Sequence, residues 1–197
     1  IATKTTINIL TGVKMDLTNQ GLTLTGSNAE ISIESFLSVE DEAAQMQIEK
    51  TGSIVLQARF FSEIIRRLPE EDFTLEVLEQ NQVKITSGKA YFTVNGLDSD
   101  NYPHLPIIDT PNQIQIPIQV LNKLISETVF SFSQHESRPI LTGVHFVLSN
   151  EVLLAVATDS HRLSQRKIPL TNTSEQFDIV IPGKSLIELS RSLSDEE

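Results

Sequence analysis

The chain has 197 residues, of which 39% are hydrophobic, so it is long enough to bury the core of one large domain or of two small ones. It contains no cysteine, which excludes a disulfide framework and a thiolate metal site, and it has no apolar run near the roughly 18 residues of a membrane span. With no signal peptide at its N-terminus, the protein is expected in the cytoplasm. The net charge of −11, taken alone, argues against a nucleic-acid binder.

The first 55 residues are expected to form strands. Residues 13–17 and 21–26 alternate apolar and polar side chains, and the polar residues between them indicate a hairpin turn. Residues 30–36 continue the sheet, and residues 46–49 are a further candidate strand beyond an acidic loop.

Three passages of the chain run from a short apolar strand into an amphipathic helix, at residues 54–68, 114–128 and 179–193. The expected helix starts are Gln57, Pro117 and Pro182. Proline suits the first helical position, where its missing N–H would have no partner in any case. Helical spacing predicts buried faces formed by Phe61, Leu121 and Leu186 and by Ile64, Leu124 and Leu189. The opposite faces carry several basic residues, whereas the acidic residues cluster in turns.

The remaining segments indicate two sheets separated by a linker. Expected strands are residues 73–78, 83–86 and 90–96, which form a meander, and residues 143–149, 152–158 and 161–170. Residues 98–111 contain three prolines and no periodicity, so they are expected to link two domains. Residues 171–176 form a polar loop before the third helix.

An internal repeat supports this division. The sequence ILTGV occurs at 9–13 and again at 140–144, and the same shift of 131 aligns residues 16–32 with 147–163 without a gap. A repeat of this kind predicts a duplicated structural unit. Because the two copies have unequal flanks, the chain is expected to be truncated at both ends. The predicted domains are residues 1–108, without an N-terminal strand and helix, and residues 112–197, without their C-terminal strands.

Four segments, taken in order, resemble the bacterial DNA sliding clamp family, the beta subunits of DNA polymerase III. They are DNYPHLP (100–106), SRPILTGVHF (137–146), VATDSHRLSQ (156–165) and VIPGKSLIEL (180–189). The resemblance implies an α+β clamp fold, with antiparallel sheets outside and amphipathic helices that line a central channel. It also implies a ring-shaped homodimer that encircles duplex DNA, has no catalysis and no cofactor of its own, and does not contact a membrane.

The resemblance places the basic residues of the helices toward DNA. The DNA-facing set is Arg59, Arg66, Arg67, Lys123, Lys184 and Arg191, together with His135 and Arg138 from a loop that touches DNA in the family. Lys and Arg directed at phosphates give binding that depends on salt and not on sequence, as sliding requires. The alternative is an ordinary solvated helix face, which Glu63, Glu127 and Glu188 favour.

In the family, a second site binds short peptides from other replication proteins in a hydrophobic groove. Its residues here would be Leu141, Thr158, Ser160, His161, Arg162 and Leu163, with serine at 160 where some clamps have glycine. The expected peptide partners are the alpha subunit of the replicative polymerase, the clamp loader, repair polymerases and mismatch repair proteins. The rest of the groove would lie outside this chain.

Two other functions stay open. Asp159, Ser160 and His161 suggest a hydrolase, but neighbours in an extended segment point to opposite faces and cannot converge as a triad. A plain protein-interaction module with no DNA role is the third hypothesis. The four histidines have no metal-ligand spacing, so no metal site is expected.

Overall fold

The computed structural model describes residues 7–28, 31–103, 113–170, 173 and 175–193. The chain divides into two compact units, Ile1–Ile107 and Ile108–Glu197. Each unit has its own hydrophobic core.

The described residues of the first unit form two antiparallel sheets and one α-helix. The strands and the helix are β1 (Gly12–Thr18), β2 (Gly21–Ser27), β3 (Ser32–Ser38), β4 (Gly52–Gln57), α1 (Ala58–Ile65), β5 (Thr74–Val77), β6 (Gln82–Ser87) and β7 (Ala90–Asn95). The order β3-β2-β1-β4 forms one sheet, and the predicted meander forms the other in the order β5-β6-β7. On β6, Val83 and Ile85 are fully buried and Lys84 between them is not, as alternation on a half-buried strand requires.

The second unit repeats the four-stranded sheet and adds two helices. Its elements are α2 (Ile118–Ser126), β8 (Gly143–Ser149), β9 (Val152–Thr158), β10 (Leu163–Pro169), β11 (Phe177–Pro182) and α3 (Gly183–Ser192). The strand order is β10-β9-β8-β11. A two-residue turn joins β8 to β9, and both of its residues, Asn150 and Glu151, have positive φ, which matches the twist of a tight hairpin.

The duplication predicted from the sequence is confirmed element by element. The short 3-10 helix Asn8–Thr11 before β1 corresponds to Pro139–Thr142 before β8, at the shift of 131. The bounds of β1, β2 and β3 coincide with those of β8, β9 and β10 at the same shift. The two four-stranded sheets also have the same strand order. One folding unit is therefore present twice.

The helices are held by their apolar faces. In the second unit Leu124 and Leu186 are buried and join the core of β8 and β9. In the first, Phe61 and Ile64 pack against the core that contains Leu56 and Val83. The prediction for Leu189 was wrong, because its side chain is 42% exposed and the neighbouring Ile187 packs against the core in its place.

Several predicted boundaries were also wrong. Residues 46–49 are not a strand, because they pair with no neighbouring strand among the described residues, and Gln45 just before them adopts φ 44°. Residues 114–116 pack against the core without forming a strand, and β10 begins at Leu163 rather than at 161. Pro117 and Pro182 lie one position before the first helical residue, with extended ψ of 137° and 131°. The polar loop at 171–176 falls largely outside the described residues.

The predicted linker begins too early. Leu97 pairs with Val55 through two backbone hydrogen bonds, and Tyr102 is buried in the first unit. The Tyr102 hydroxyl donates to the carbonyl oxygen of Thr25 at 3.4 Å, and burial raises the pKa of Tyr102. Residues up to 103 therefore belong to the first unit, and residues 104–112 lie outside those described.

Candidate functional site

The segment expected to form part of the groove is a tight turn between β9 and β10. The Asp159 carboxylate accepts the backbone N–H groups of His161 and Arg162, each at 3.0 Å, and the Nε of Arg162 at 3.0 Å. The Thr158 hydroxyl donates to the carbonyl oxygen of Arg162 at 2.7 Å and accepts the Ser160 N–H at 3.1 Å. Two side chains thus close the turn from one end, as short polar residues do in turns.

Ser160 lies at the tip of this turn with φ 77°, in the left-handed region. This conformation favours glycine, because a Cβ approaches the following carbonyl oxygen there. The sequence suggested that serine, in place of glycine, affects backbone freedom at this position. In the structure, the backbone of Ser160 is strained.

The turn also removes the premise used against the hydrolase, because residues 159–162 are not extended. A different observation makes a catalytic triad unsuitable. The backbone hydrogen bonds from His161 and Arg162 lower the pKa of Asp159, and its carboxylate is directed at them rather than at an imidazole. The Ser160 hydroxyl accepts from Arg138, and no hydrogen bond joins it to a histidine among the described residues.

The other groove segment is the 3-10 helix Pro139–Thr142, which carries Leu141. It is fixed to the preceding loop, because the Ser133 N–H donates to the Leu141 carbonyl oxygen at 2.8 Å. Its neighbour Ile140 is 70% exposed. Arg138, at the start of this segment, reaches the turn and donates from Nη1 to the Ser160 Oγ at 3.2 Å.

Leu163 begins β10 opposite Thr158 and is 62% exposed. Most of this side chain is therefore apolar surface open to solvent. The structure therefore brings together, in one part of the second unit, both segments that carry the predicted groove residues.

Two features of this region were missed by sequence reasoning. The guanidinium of Arg162 lies 5.8 Å from the centre of the exposed Phe130 ring, within cation–π distance. The second is Glu127 at the end of α2. Its carbonyl oxygen accepts the Ser164 hydroxyl, and its carboxylate forms an ion pair with Arg166 at 3.1 Å. Both features join residues distant in sequence, so no spacing signal marks them.

The three residues of the predicted DNA-facing set in the first unit, Arg59, Arg66 and Arg67, are exposed, but only Arg59 lies within a helix. Arg59 lies on α1 and pairs with Glu63 at 3.4 Å, one turn further along. Arg66 and Arg67 follow the end of α1 in a turn, so the prediction that they lie on a helix face was wrong. The Arg66 N–H still donates to the Ser62 carbonyl oxygen four residues back, at 3.2 Å, whereas the Arg67 N–H donates to the Ile64 carbonyl oxygen three residues back, at 2.9 Å, so the chain tightens as the helix ends.

In the second unit, α2 and α3 pack side by side. The Ser190 hydroxyl donates to the Asn122 Oδ1 at 2.9 Å and links them. Lys123 on α2 and Lys184 on α3 are exposed, and within the described ranges neither forms an ion pair. Arg191 pairs with Glu188 at 2.7 Å, the arrangement that the solvated-face alternative predicted.

His135 lies in the exposed loop before the second 3-10 helix. Its backbone N–H donates to the Ser133 hydroxyl at 3.1 Å. This bond holds the backbone of the loop and does not involve the imidazole. Within the described part of the chain, histidines and carboxylates nowhere form a group of three that suits a metal ion. No helix among the described residues has the length and apolarity needed to cross a membrane.

The comparisons with known proteins cover both units. The family model for the N-terminal domain of the DNA polymerase III beta subunit matches residues 1–106, and that for the central domain matches residues 115–197. The beta sliding clamp of Bacillus subtilis (strain 168) is 50% identical over 199 residues, covering 100% of this chain and 53% of that protein.

Solved structures agree. The DNA polymerase III beta chain of Streptococcus pneumoniae TIGR4 matches with a TM-score of 0.97 and 48% identity, over 100% of this chain and 52% of that one. The Bacillus subtilis sliding clamp matches with a TM-score of 0.95 and 50% identity, over 99% and 52%. The chain thus spans about half the length of the curated relatives it matches.

These similarities confirm the predicted α+β clamp fold and the resemblance that the four sequence segments carried. Two family models in succession account for most of the sequence, in the same order as the two units. The chain belongs to the DNA polymerase III beta subunit family.

Proposed function

We propose that this chain is part of a DNA sliding clamp, a ring-shaped homodimer in its full-length form that encircles duplex DNA and tethers the replicative polymerase. The observation that carries the proposal is similarity over the whole chain to proteins named beta sliding clamp, at 50% and 48% identity. Residues 1–108 would form the first clamp domain and residues 112–197 belong to the second. Such a protein acts in the cytoplasm, where bacterial DNA is replicated.

Exposed cations support the DNA-binding part of the proposal. Arg66, Arg67, Lys123 and Lys184 are exposed and, among the described residues, form no ion pair, so they remain available to phosphate oxygens. Arg59 and Arg191 share their charge with a glutamate one turn away. Exposed pairs of this kind are weak, so a phosphate can compete for the arginine. His135 and Arg138 complete the proposed set.

A total charge of −11 is compatible with this role. Exposed charges more than about 10 Å apart are largely screened at 0.1 M salt, so the local sign of a helix face decides what it attracts. Acidic turns elsewhere would discourage DNA from binding outside the channel.

Exposed apolar side chains support the peptide-binding part. Leu163 and the segment of Leu141 would form apolar walls, while Thr158, Ser160, His161 and Arg162 form a polar rim. Peptide segments of the polymerase alpha subunit, the clamp loader, repair polymerases and mismatch repair proteins would bind there in turn. A linear peptide with apolar anchors suits such a groove, because a few buried side chains supply most of the binding energy.

We assign no catalysis to the chain. The hydrolase alternative would need the Asp159 carboxylate to orient a histidine, yet that carboxylate accepts two backbone N–H groups and Arg162. Binding by encirclement needs neither a reaction nor a cofactor, since the ring is retained topologically.

Retention on circular DNA tests the proposal. A full-length clamp built on this chain, placed on a nicked circular plasmid by its loader, should stay bound at high salt and leave when the plasmid is linearised. Equal loss from circular and linear DNA would contradict the proposal.

The cationic faces are tested by the double variant Arg66→Ala with Lys184→Ala. Each lost phosphate contact should lower the slope of log affinity against log salt by about 0.9. Lys167→Ala, which removes an exposed lysine from β10, serves as the matched control and should leave the slope unchanged. If the salt slope changed as much in Lys167→Ala as in the double variant, Arg66 and Lys184 would not belong to the DNA-facing set.

A further inference from the structure

The two proposed groove segments lie at one end of the four-stranded sheet of the second unit, beyond the last paired residues of β8 and β9. The ladder runs from Ser149 opposite Val152 to His145 opposite Val156. Both strands continue beyond it, β8 back to Gly143 and β9 on to Thr158. The segments that extend from these strands are therefore not held together by this ladder.

One side-chain contact spans the open end. Arg138 Nη1 donates to the Ser160 Oγ at 3.2 Å and joins the start of the Leu141 segment to the tip of the Thr158–Leu163 turn. Among the described residues, no other side-chain hydrogen bond connects these two segments. Arg138 is itself anchored, since its carbonyl oxygen accepts the Leu141 N–H at 3.0 Å.

The acceptor, Ser160, is an unusual residue for its backbone conformation. Ser160 has φ 77°, where glycine would be unstrained, so its side chain is present despite a backbone preference against it. Its hydroxyl is what Arg138 binds. The residue with the strained backbone is therefore also the one that accepts the bridging hydrogen bond.

We propose that Arg138 is a positioning residue for the peptide groove: its bond to Ser160 holds the turn against the Leu141 segment before any peptide arrives. This proposal rests on the groove assigned above. A groove held open in its binding geometry gives tighter binding, because less conformational freedom is lost when the peptide docks. Arg138 would then act on peptide affinity through Ser160, a role distinct from contact with DNA.

The first test needs no peptide and uses the 197-residue chain. Backbone amide exchange at Ser160, His161 and Arg162 should be several-fold faster in Arg138→Ala and in Ser160→Ala than in the wild type, because the turn opens more often. Lys167→Ala is the matched control for loss of an exposed cation. Unchanged exchange at these three amides in Arg138→Ala would overturn the proposal.

The second test measures peptide affinity in a full-length clamp built on this chain. The probe is a labelled synthetic peptide that spans the clamp-binding segment of the replicative polymerase. Arg138→Ala and Ser160→Ala should each weaken binding about fivefold, the size of the typical net contribution of one hydrogen bond. The double variant should be no weaker than either single variant, since both remove the same contact.

Additive losses in the double variant, or affinity unchanged in Arg138→Ala, would overturn this proposal and leave the groove intact. A wild-type protein that fails to bind the peptide would overturn the proposed groove and the role of Arg138 with it. Ser160→Gly, which removes the hydroxyl and the backbone strain together, should make affinity insensitive to Arg138→Ala. Continued sensitivity in that background would show that Arg138 acts through another group.

Discussion

At the scale of the residue, the β9–β10 turn depends on one carboxylate. Asp159, whose side chain is 22% exposed, accepts two backbone N–H groups and the Nε of Arg162. These bonds favour the ionised form and lower the pKa of Asp159. The order of the turn is therefore linked to the charge of this side chain.

The order of the turn should depend on acid pH. Because the pKa of Asp159 is lower in the folded chain, its stabilising contribution is present above the unfolded pKa and is lost as pH falls through the folded pKa. An NMR titration should place the Asp159 midpoint below its ordinary value of about 3.8, with the amide signals of His161 and Arg162 moving at the same midpoint. Asp159→Asn should abolish that shared transition. A midpoint at or above the ordinary value would contradict the hydrogen bonding described.

Substitution of two leucines in the same sheet should distinguish an effect on peptide binding from an effect on stability. Leu163 is 62% exposed, whereas Leu153 on β9 is fully buried. Leu163→Ala should change the free energy of unfolding by less than about 0.5 kcal/mol, as exposed positions generally do, yet weaken peptide binding to the full-length clamp. Leu153→Ala should lower the free energy of unfolding by about 2–5 kcal/mol.

Chemical denaturation and peptide titration measure the two effects. If Leu163→Ala destabilised the fold as much as Leu153→Ala does, Leu163 would be a core residue and not a groove wall.

At the scale of the element, the helices show how a sequence pattern selects a face. In α3, Leu186 is 2% exposed and Leu189 is 42% exposed, although both fit one apolar stripe by spacing. Ile187 completes the buried face instead. The stripe is broad enough to be buried at more than one rotation about the helix axis, and the neighbouring helix and sheet select one of them.

The rotation of α3 has a direct test. Leu186→Ala should lower the free energy of unfolding by about 2–5 kcal/mol because it opens a cavity in the core. Leu189→Ala, the matched leucine one turn along, should change it by less than about 1 kcal/mol. Urea denaturation of the two variants measures the difference. Equal losses would mean that α3 turns Leu189 toward the core as well.

The basic residues of the helices differ in whether they form an ion pair. Arg59 and Arg191 each have an acidic partner within one helical turn, whereas Lys123 and Lys184 have none among the described residues. A pair at this spacing contributes only about 0.3–0.5 kcal/mol. The paired arginines are therefore still able to exchange a glutamate for a phosphate, though with less net attraction than the unpaired lysines.

At the scale of the whole molecule, this chain accounts for about half of its relatives' length. Encirclement and a complete groove are properties proposed for the full-length protein. The two units share one sheet topology, so the same folding solution is used twice within this half.

Comparison of the 197-residue chain with the full-length clamp should show this dependence. We expect the shorter chain to bind the polymerase peptide much more weakly, because the proposed groove residues would form only one of its sides. It should also fail to remain on circular DNA at high salt. Fluorescence anisotropy and gel filtration provide the two measurements. Micromolar peptide affinity in the shorter chain would show that this side of the groove is sufficient.

The sequence by itself determined the strands of the repeat, the meander, the positions of the three helices and the family. Period-two alternation and helical spacing are local properties, and a shift of 131 without gaps preserved the bounds of three strand pairs. The motifs shared with the family also supplied the proposed groove residues, which stay a prediction.

Only the tertiary structure decided the features that depend on distant partners. It placed Arg66 and Arg67 beyond α1, exposed Leu189 to solvent and moved the start of β10 from 161 to Leu163, so that residues 161 and 162 belong to the turn. It also paired Arg138 with Ser160 and Glu127 with Arg166. Each of these outcomes depends on which residues distant in sequence come into contact, and local periodicity carries no information about such contacts.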